Sequence, residues 1–136
     1  RKLYRATGIP SDDLKTLLDG GRIKAKEVLE SWSGSKKSTD YFLVRSLAKF
    51  KVVLSMKVPD SERLLCVECL PEDSPVRRKD DHRMIDEREV IVRSQPYTLD
   101  NVLGLFTTVR GKQGMTTKKL SLEDARKAKD KNETNW

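Results

Sequence analysis

The apolar pattern of the segment KVVLSMKVP, residues 51–59, has a period of two residues. Val52, Leu54, Met56 and Val58 alternate with Lys51, Val53, Ser55 and Lys57. Such alternation is typical of a β-strand with one face turned to the core, and Pro59 ends the strand. Three more aliphatic segments follow it, RLLCVECL (63–70), REVIVRS (88–94) and NVLGLFTTVR (101–110). The second half of the chain is therefore predicted to form a β-sheet.

Two short helices are predicted ahead of these strands. SDDLKTLLDGG (11–21) begins with the N-cap candidate Ser11, places Leu14, Leu17 and Leu18 on one face and ends in two glycines, which stop a helix. STDYFLVRSLAKF predicts an amphipathic helix over about 40–49, with Leu43 and Leu47 on one stripe. Because helices come early and strands late, we expect an α+β fold with mainly antiparallel sheets.

The remaining segments complete one domain of ordinary size, since the chain has 136 residues. Short extended pieces are predicted in KLYRATGIP (2–10) and VLESWS (28–33). The main domain is placed at residues 1–115. Residues 116–136 are predicted to form a C-terminal polar helix or tail, because SLEDARKAKDKNETNW has almost no apolar stripe.

The charge balance constrains the partners of the protein more than its fold. Lysines and arginines number 28 against 21 acidic residues, which gives a formal net charge of +7. This favours an acidic or polyanionic partner, whether a nucleotide, a nucleic acid or an acidic protein face. Nothing in the sequence approaches an apolar run of about 18 residues, so we expect no membrane contact.

The two cysteines, Cys66 and Cys69, form a CxxC motif. A zinc site is not expected, because no second CxxC follows and His82 is the only histidine. On a strand the two side chains point to opposite faces, which predicts one buried thiol and one half-exposed thiol. Two such free thiols suit a reducing compartment, and we predict a cytoplasmic location.

Three groups of polar residues stand where predicted elements meet loops. They are Arg5, the pair Ser31 and Ser33, and the pair Glu87 and Glu89. The two glutamates lie one residue apart in DEREVIV, and side chains two apart on a strand share a face. Each group alone is ordinary for a protein surface, where charges and serines at turns are common.

Taken in order, these motifs resemble those of mono-ADP-ribosyltransferases of the Arg-Ser-Glu class. LYRATG (3–8) is similar to the arginine element of that family, ESWSGSK (30–36) to its serine element and DEREVIV (86–92) to its Glu-x-Glu element. The class includes clostridial-type toxins, arginine-specific eukaryotic transferases and phage-encoded transferases that act on host proteins. The resemblance spans about residues 3–109. It implies an ADP-ribosyltransferase-like fold, with two mainly antiparallel sheets and short N-terminal helices.

The resemblance also implies NAD+ as co-substrate and assigns residues to it, with no metal. Glu89 would stabilise the positive charge that develops on the nicotinamide ribose, and Ser31 would orient Glu89. Arg5 would hold the pyrophosphate or its ribose. The other candidates for NAD+ binding are Ser33, Tyr41 and Phe42. For one of the two aromatic residues, core packing is the alternative.

The same resemblance implies transfer of ADP-ribose to arginine on a protein target. Glu87 would face the incoming guanidinium, and the charged loop 74–86 would recognise the acceptor. Two alternatives stay open: transfer to nucleic acid, which the positive charge favours, and an inactive basic binding module of the same fold. The second rests on departures from the family pattern, because Ala6 replaces its glycine and Trp32 occupies the middle of the serine motif. The loop 94–98 also lacks the family's Pro-Gly.

Overall fold

A computed structural model describes residues 2–24, 27–71, 73, 79–80, 85–86 and 89–130. These residues contain nine strands and three α-helices. The helices are α1 (Ser11–Leu18), α2 (Lys37–Arg45) and α3 (Leu122–Asp130). The strands are β1 (Lys2–Gly8), β2 (Leu29–Ser33), β3 (Phe50–Lys57), β4 (Arg63–Cys66), β5 (Lys79–Asp80), β6 (Ile85–Asp86), β7 (Glu89–Arg93), β8 (Val102–Gly111) and β9 (Gly114–Leu120).

Seven of these strands form one antiparallel sheet in the order β4-β7-β2-β1-β3-β8-β9. The α+β class predicted from the sequence is confirmed. The resemblance implied two mainly antiparallel sheets, whereas the described residues form one seven-stranded sheet, beside a two-residue ladder of β5 with β6. The two halves of the sheet stay joined because β1 and β2 pair at Tyr4 and Ser33, the single pair in that ladder.

The strand predicted at 51–58 is β3, an inner strand between β1 and β8, and it is buried on both faces from Phe50 to Ser55. Val52 and Leu54 belong to the main hydrophobic core, together with the leucines of α1. On the opposite face, α2 packs against the neighbouring strand β1. A strand with one face turned to the core was expected, and β3 differs because Lys51, Val53 and Ser55 on its second face are buried as well.

Both predicted helices are present, with different ends. In α1 the expected leucines Leu14, Leu17 and Leu18 are buried, but Pro10 is the N-cap and Ser11 is the first helical residue. The helix α2 begins three residues earlier than predicted and ends at Arg45, because Ser46 takes an extended conformation. Leu47, which we placed on the apolar stripe, is consequently 70% exposed.

Lys51 connects α2 to the sheet from a fully buried position. Its Nζ donates hydrogen bonds to the carbonyl oxygen of Leu43, 2.6 Å away, and to Oγ1 of Thr117, 2.8 Å away. Leu43 lies in the last turn of α2, where carbonyl groups lack helical partners and a cation is favourable. Burial lowers the pKa of the Lys51 ammonium below its ordinary value of 10.5.

The C-terminal segment is helical, and it packs on α1. The backbone amide of Asp124 donates to Oγ of Ser121 at 3.1 Å, and Lys127 lies 3.5 Å from Glu123. Ala125 is fully buried. The predicted division between residues 115 and 116 falls within β9, which pairs along β8. Among the described residues, no helix has the length and apolarity needed to span a membrane.

Cys66 and Cys69 are joined in a disulfide, so the prediction of two free thiols is wrong. We had placed both residues on one strand. The strand β4 instead ends at Cys66, and a 3₁₀ turn over Val67–Cys69 follows it. The turn brings the two α-carbons to 5.3 Å, within the range that a disulfide spans. With both cysteines in a disulfide, they no longer indicate a reducing compartment.

Substitution at the centre of β3 tests the position of the core. Leu54 is 1% exposed, and Leu54→Ala should lower the free energy of unfolding by about 2–5 kcal/mol, because it leaves a cavity. The matched control is Leu103→Ala, at a side chain that is 48% exposed, and it should change stability by less than about 1 kcal/mol. Denaturant unfolding of both variants provides the measurement. Equal losses would contradict this core.

The buried ammonium of Lys51 predicts a pH dependence of stability. The folded-state pKa lies below the unfolded value of 10.5, so between the two the unfolded chain binds more protons. Stability contributed by this group must rise with pH across that interval. Thermal unfolding of the wild type and of Lys51→Met should show the wild type gaining relative to the variant as pH approaches 10.5. A constant or decreasing difference would be the opposite result.

Candidate functional site

A row of polar side chains crosses three strands at the junction between the two halves of the sheet. Tyr4 on β1 pairs with Ser33 on β2, and Ser33 pairs with Glu89 on β7. Paired residues of antiparallel strands project to the same face. Ser31 also lies on this face, because it is two residues from Ser33 on the same strand. The predicted serine and glutamate motifs are thus brought together by strand register.

The closest contact in this row joins Ser31 to Glu89. Oγ of Ser31 donates a hydrogen bond to Oε2 of Glu89 over 2.5 Å, across 58 residues of sequence. Ser31 pairs with Ile91, so Ser31 and Glu89 are diagonal neighbours, a separation that side chains can bridge. The bond fixes one carboxylate oxygen of Glu89, and the second oxygen of a carboxylate can accept a hydrogen bond from a ligand.

Arg5 occupies the gap between β1 and β2, one residue beyond the single pair that joins them. Its Nη1 donates to the carbonyl oxygen of Ser31 over 2.7 Å, and its Nε lies 3.8 Å from Oε2 of Glu30. Arg5 pairs with Leu54, so its side chain leaves the strand on the core face. From there it reaches the cleft beside Ser31.

The helix α2 forms the wall of this cleft opposite the sheet. Nη1 of Arg45 donates to the hydroxyl of Tyr41 one turn earlier, and the guanidinium carbon lies 5.2 Å from the centre of the Tyr41 ring. Phe42 is 36% exposed, so its ring is accessible from the cleft. The helix therefore supplies one aromatic ring with a cation on it and a second, partly open ring.

Together these residues line a cleft of about 460 Å³, which falls within the range of about 300–1,000 Å³ usual for ligand pockets. Its lining is Tyr4, Arg5, Ala6, Ser31, Trp32, Ser33, Ser38, Thr39, Tyr41, Phe42, Arg45 and Glu89. Six residues predicted to act on NAD+ are in this set. Ser33 also serves the turn into α2, because its Oγ accepts from the amide of Ser35 at 2.9 Å.

Other predicted site residues cannot be placed. Glu87 lies outside the described residues, and the loop 74–86 is described only at β5 and β6.

Arg45 lines the cleft, although the sequence motifs did not point to it. Its spacing could have indicated it, because Arg45 follows Tyr41 by four residues on a predicted helix and therefore shares its face. Among the described residues, no group of three or more histidine, cysteine or acidic side chains could hold a metal ion.

Behind Arg5, on the core side, lies a smaller pocket of about 210 Å³. Tyr97, which is 7% exposed, lines it together with Arg5 and Glu30. Burial, followed by the carboxylates of Asp13 and Glu30, raises the pKa of Tyr97 to about 12, although Arg5 acts in the opposite direction. The phenol therefore stays protonated at neutral pH.

Comparison with known proteins identifies no relative of this chain. No family model, no curated protein and no solved structure matches the chain.

Proposed function

We propose that this protein is a mono-ADP-ribosyltransferase that cleaves NAD+, releases nicotinamide and transfers ADP-ribose to arginine on a protein target. The observation that carries the proposal is the 2.5 Å hydrogen bond from Ser31 to Glu89. The sequence motifs indicate the same two residues. A family resemblance based on short motifs does not require them to touch, so their contact inside a ligand-sized cleft is supporting evidence.

The cleft has the chemical groups that NAD+ needs. Arg5 and Arg45 are two guanidinium groups suited to a diphosphate, because their planar N–H donors match phosphate oxygens. The rings of Tyr41 and Phe42 offer flat apolar surfaces for a pyridine ring. Ser31 and Glu89 lie on the sheet across from that helix and would meet the ribose.

Glu89 would act on the glycosidic bond by electrostatic stabilisation. As the bond between ribose C1 and nicotinamide breaks, its electron pair leaves with nicotinamide and positive charge builds on the ribose, as in glycoside hydrolysis. A carboxylate already fixed beside that ribose favours the transition state, in which the positive charge has moved from the nicotinamide ring to the ribose, over the ground state. Ser31 holds the carboxylate in one orientation, so little rearrangement is needed when the charge appears.

The acceptor is assigned to arginine through Glu87 in the Glu-x-Glu motif. A carboxylate there would pair with the guanidinium and direct one nitrogen to ribose C1; that nitrogen forms the new bond and then loses a proton. Nucleic acid is the alternative acceptor, and the net charge of +7 supports it. The remaining alternative, a binding module without catalysis, rests on Ala6 and Trp32.

Replacing the fixed carboxylate tests catalysis directly. Glu89→Gln keeps the size of the side chain but removes its charge, so nicotinamide release should fall by about 10²- to 10³-fold. The control is Glu123→Gln, which makes the same chemical change at an exposed carboxylate paired with Lys127 on α3, and it should retain the wild-type rate. Release is measured from purified protein with NAD+. Equal rates for the wild type and Glu89→Gln would remove the catalytic proposal.

Glu87 and Glu89 should have different functions. Glu87→Gln leaves Glu89 in place, so NAD+ hydrolysis should continue while transfer to arginine is lost. Parallel assays of nicotinamide release and of label on an arginine-rich protein make the comparison. Identical behaviour of the two glutamine variants would show that the division of roles is wrong.

The nature of the acceptor can be read from the label itself. Labelling of a whole-cell extract with radioactive NAD+ should give a product that neutral hydroxylamine releases and nuclease leaves intact, as expected for an arginine linkage on protein. A label that nuclease destroys would favour nucleic acid instead.

A further inference from the structure

We infer that Glu30 is a positioning residue that holds Arg5 in place and so sets the affinity of the cleft for NAD+. The inference rests on the proposed function, but no role in it falls on Glu30, which is the first residue of the segment ESWSGSK. Glu30 pairs with Val92 and projects to the core face of the sheet, away from Glu89. It does not line the cleft and would act on a ligand only through Arg5.

The carboxylate of Glu30 is bound on three sides. Its side chain is 8% exposed, and Oε2 lies 3.8 Å from Nε of Arg5. Oε1 accepts hydrogen bonds from the backbone amide of Gln95 at 2.8 Å and from the indole Nε1 of Trp32 at 3.3 Å. A buried carboxylate is tolerated when it is paired and hydrogen-bonded in this way. Its position is therefore determined by the surrounding backbone and core.

Arg5 is consequently held at both ends of its guanidinium. Nε faces Glu30 on the core side, and Nη1 donates to the carbonyl oxygen of Ser31 on the other. A long side chain loses considerable rotational freedom when it is fixed, and here that loss occurs on folding and not on ligand binding. An arginine fixed in advance binds a phosphate more tightly than a mobile one.

This arrangement also explains two departures from the family pattern. The bulky Trp32 in the middle of the serine motif donates its indole N–H to Glu30. The loop 94–98, which lacks the Pro-Gly of the family, donates the amide of Gln95 to the same carboxylate. Trp32 and Gln95 both donate to Glu30, the carboxylate that supports Arg5. The two departures therefore favour a cleft adapted to bind its ligand over an inactive one.

The test is Glu30→Gln, assayed for nicotinamide release over a range of NAD+ concentrations. Glutamine keeps the shape and one acceptor oxygen but removes the charge that faces Arg5. We expect KM for NAD+ to rise by about tenfold or more with a smaller change in kcat, since ground-state binding is weakened. The control is Glu62→Gln, which disrupts a more exposed arginine–glutamate pair of similar length, Arg93 to Glu62 at 3.7 Å, outside the cleft. It should leave KM unchanged.

A double-mutant cycle distinguishes positioning from general loss of structure. If Glu30 acts through Arg5, then Glu30→Gln should have almost no further effect on KM in the Arg5→Met background. Additive effects would overturn the inference. Thermal unfolding without ligand checks folding of each variant. Should Glu30→Gln not fold, Trp32→Phe removes one donor to Glu30 while keeping an aromatic core residue, and it should raise KM in the same direction.

Binding is also measured without catalysis, from the stabilisation that NAD+ confers against heat. A wild-type protein that is neither stabilised by NAD+ nor able to cleave it would refute the proposed function and this inference together. A wild-type protein that cleaves NAD+, with an unchanged KM in Glu30→Gln, would refute the inference alone.

Discussion

β1 and β2 pair only at Tyr4 and Ser33, and the space beyond that pair holds the guanidinium of Arg5. A longer ladder would place backbone hydrogen bonds where Arg5 reaches Ser31, and it would close the passage between the two faces of the sheet. The single pair nevertheless keeps both halves in one sheet and in one register. Because of that register, Ser31 and Glu89 meet on the same face.

Two buried ionic groups hold the walls of the cleft from outside it. Lys51 binds the last turn of α2 to β3 and β9, and α2 carries Tyr41, Phe42 and Arg45. Glu30 binds the core side of Arg5. Burying a charge is unfavourable unless hydrogen bonds compensate for it, so each of these groups is found where backbone and side-chain donors or acceptors surround it. The cleft is therefore shaped by residues that do not line it.

Sequence patterns located most elements but not their ends. The period of two identified β3, and the leucines of α1 identified a helix with its buried face. The helix α2 was predicted four residues too long at its C-terminal end, because Leu47 continues the apolar stripe although the chain has already turned towards β3. The disulfide between Cys66 and Cys69 was missed for a similar reason, since the motif does not reveal where β4 stops.

At the candidate site, motif spacing identified Arg5, Ser31 and Glu89, and their side chains contact one another or a neighbouring backbone oxygen. No role was predicted for Glu30, because a glutamate at the start of the serine motif resembles any surface carboxylate until its face of the strand is known. Arg45 was overlooked on a helix whose partner strands were unknown.

The sequence by itself determined the α+β class, the alternation of faces along each strand and the three motifs, because these depend on residues close together in the chain. Only the tertiary structure decided that β1 and β2 join at one pair, that β3 is covered on both sides and that Glu30 supports Arg5. Each of these facts depends on contacts between distant segments. Local periodicity carries no information about which segment will cover a given face.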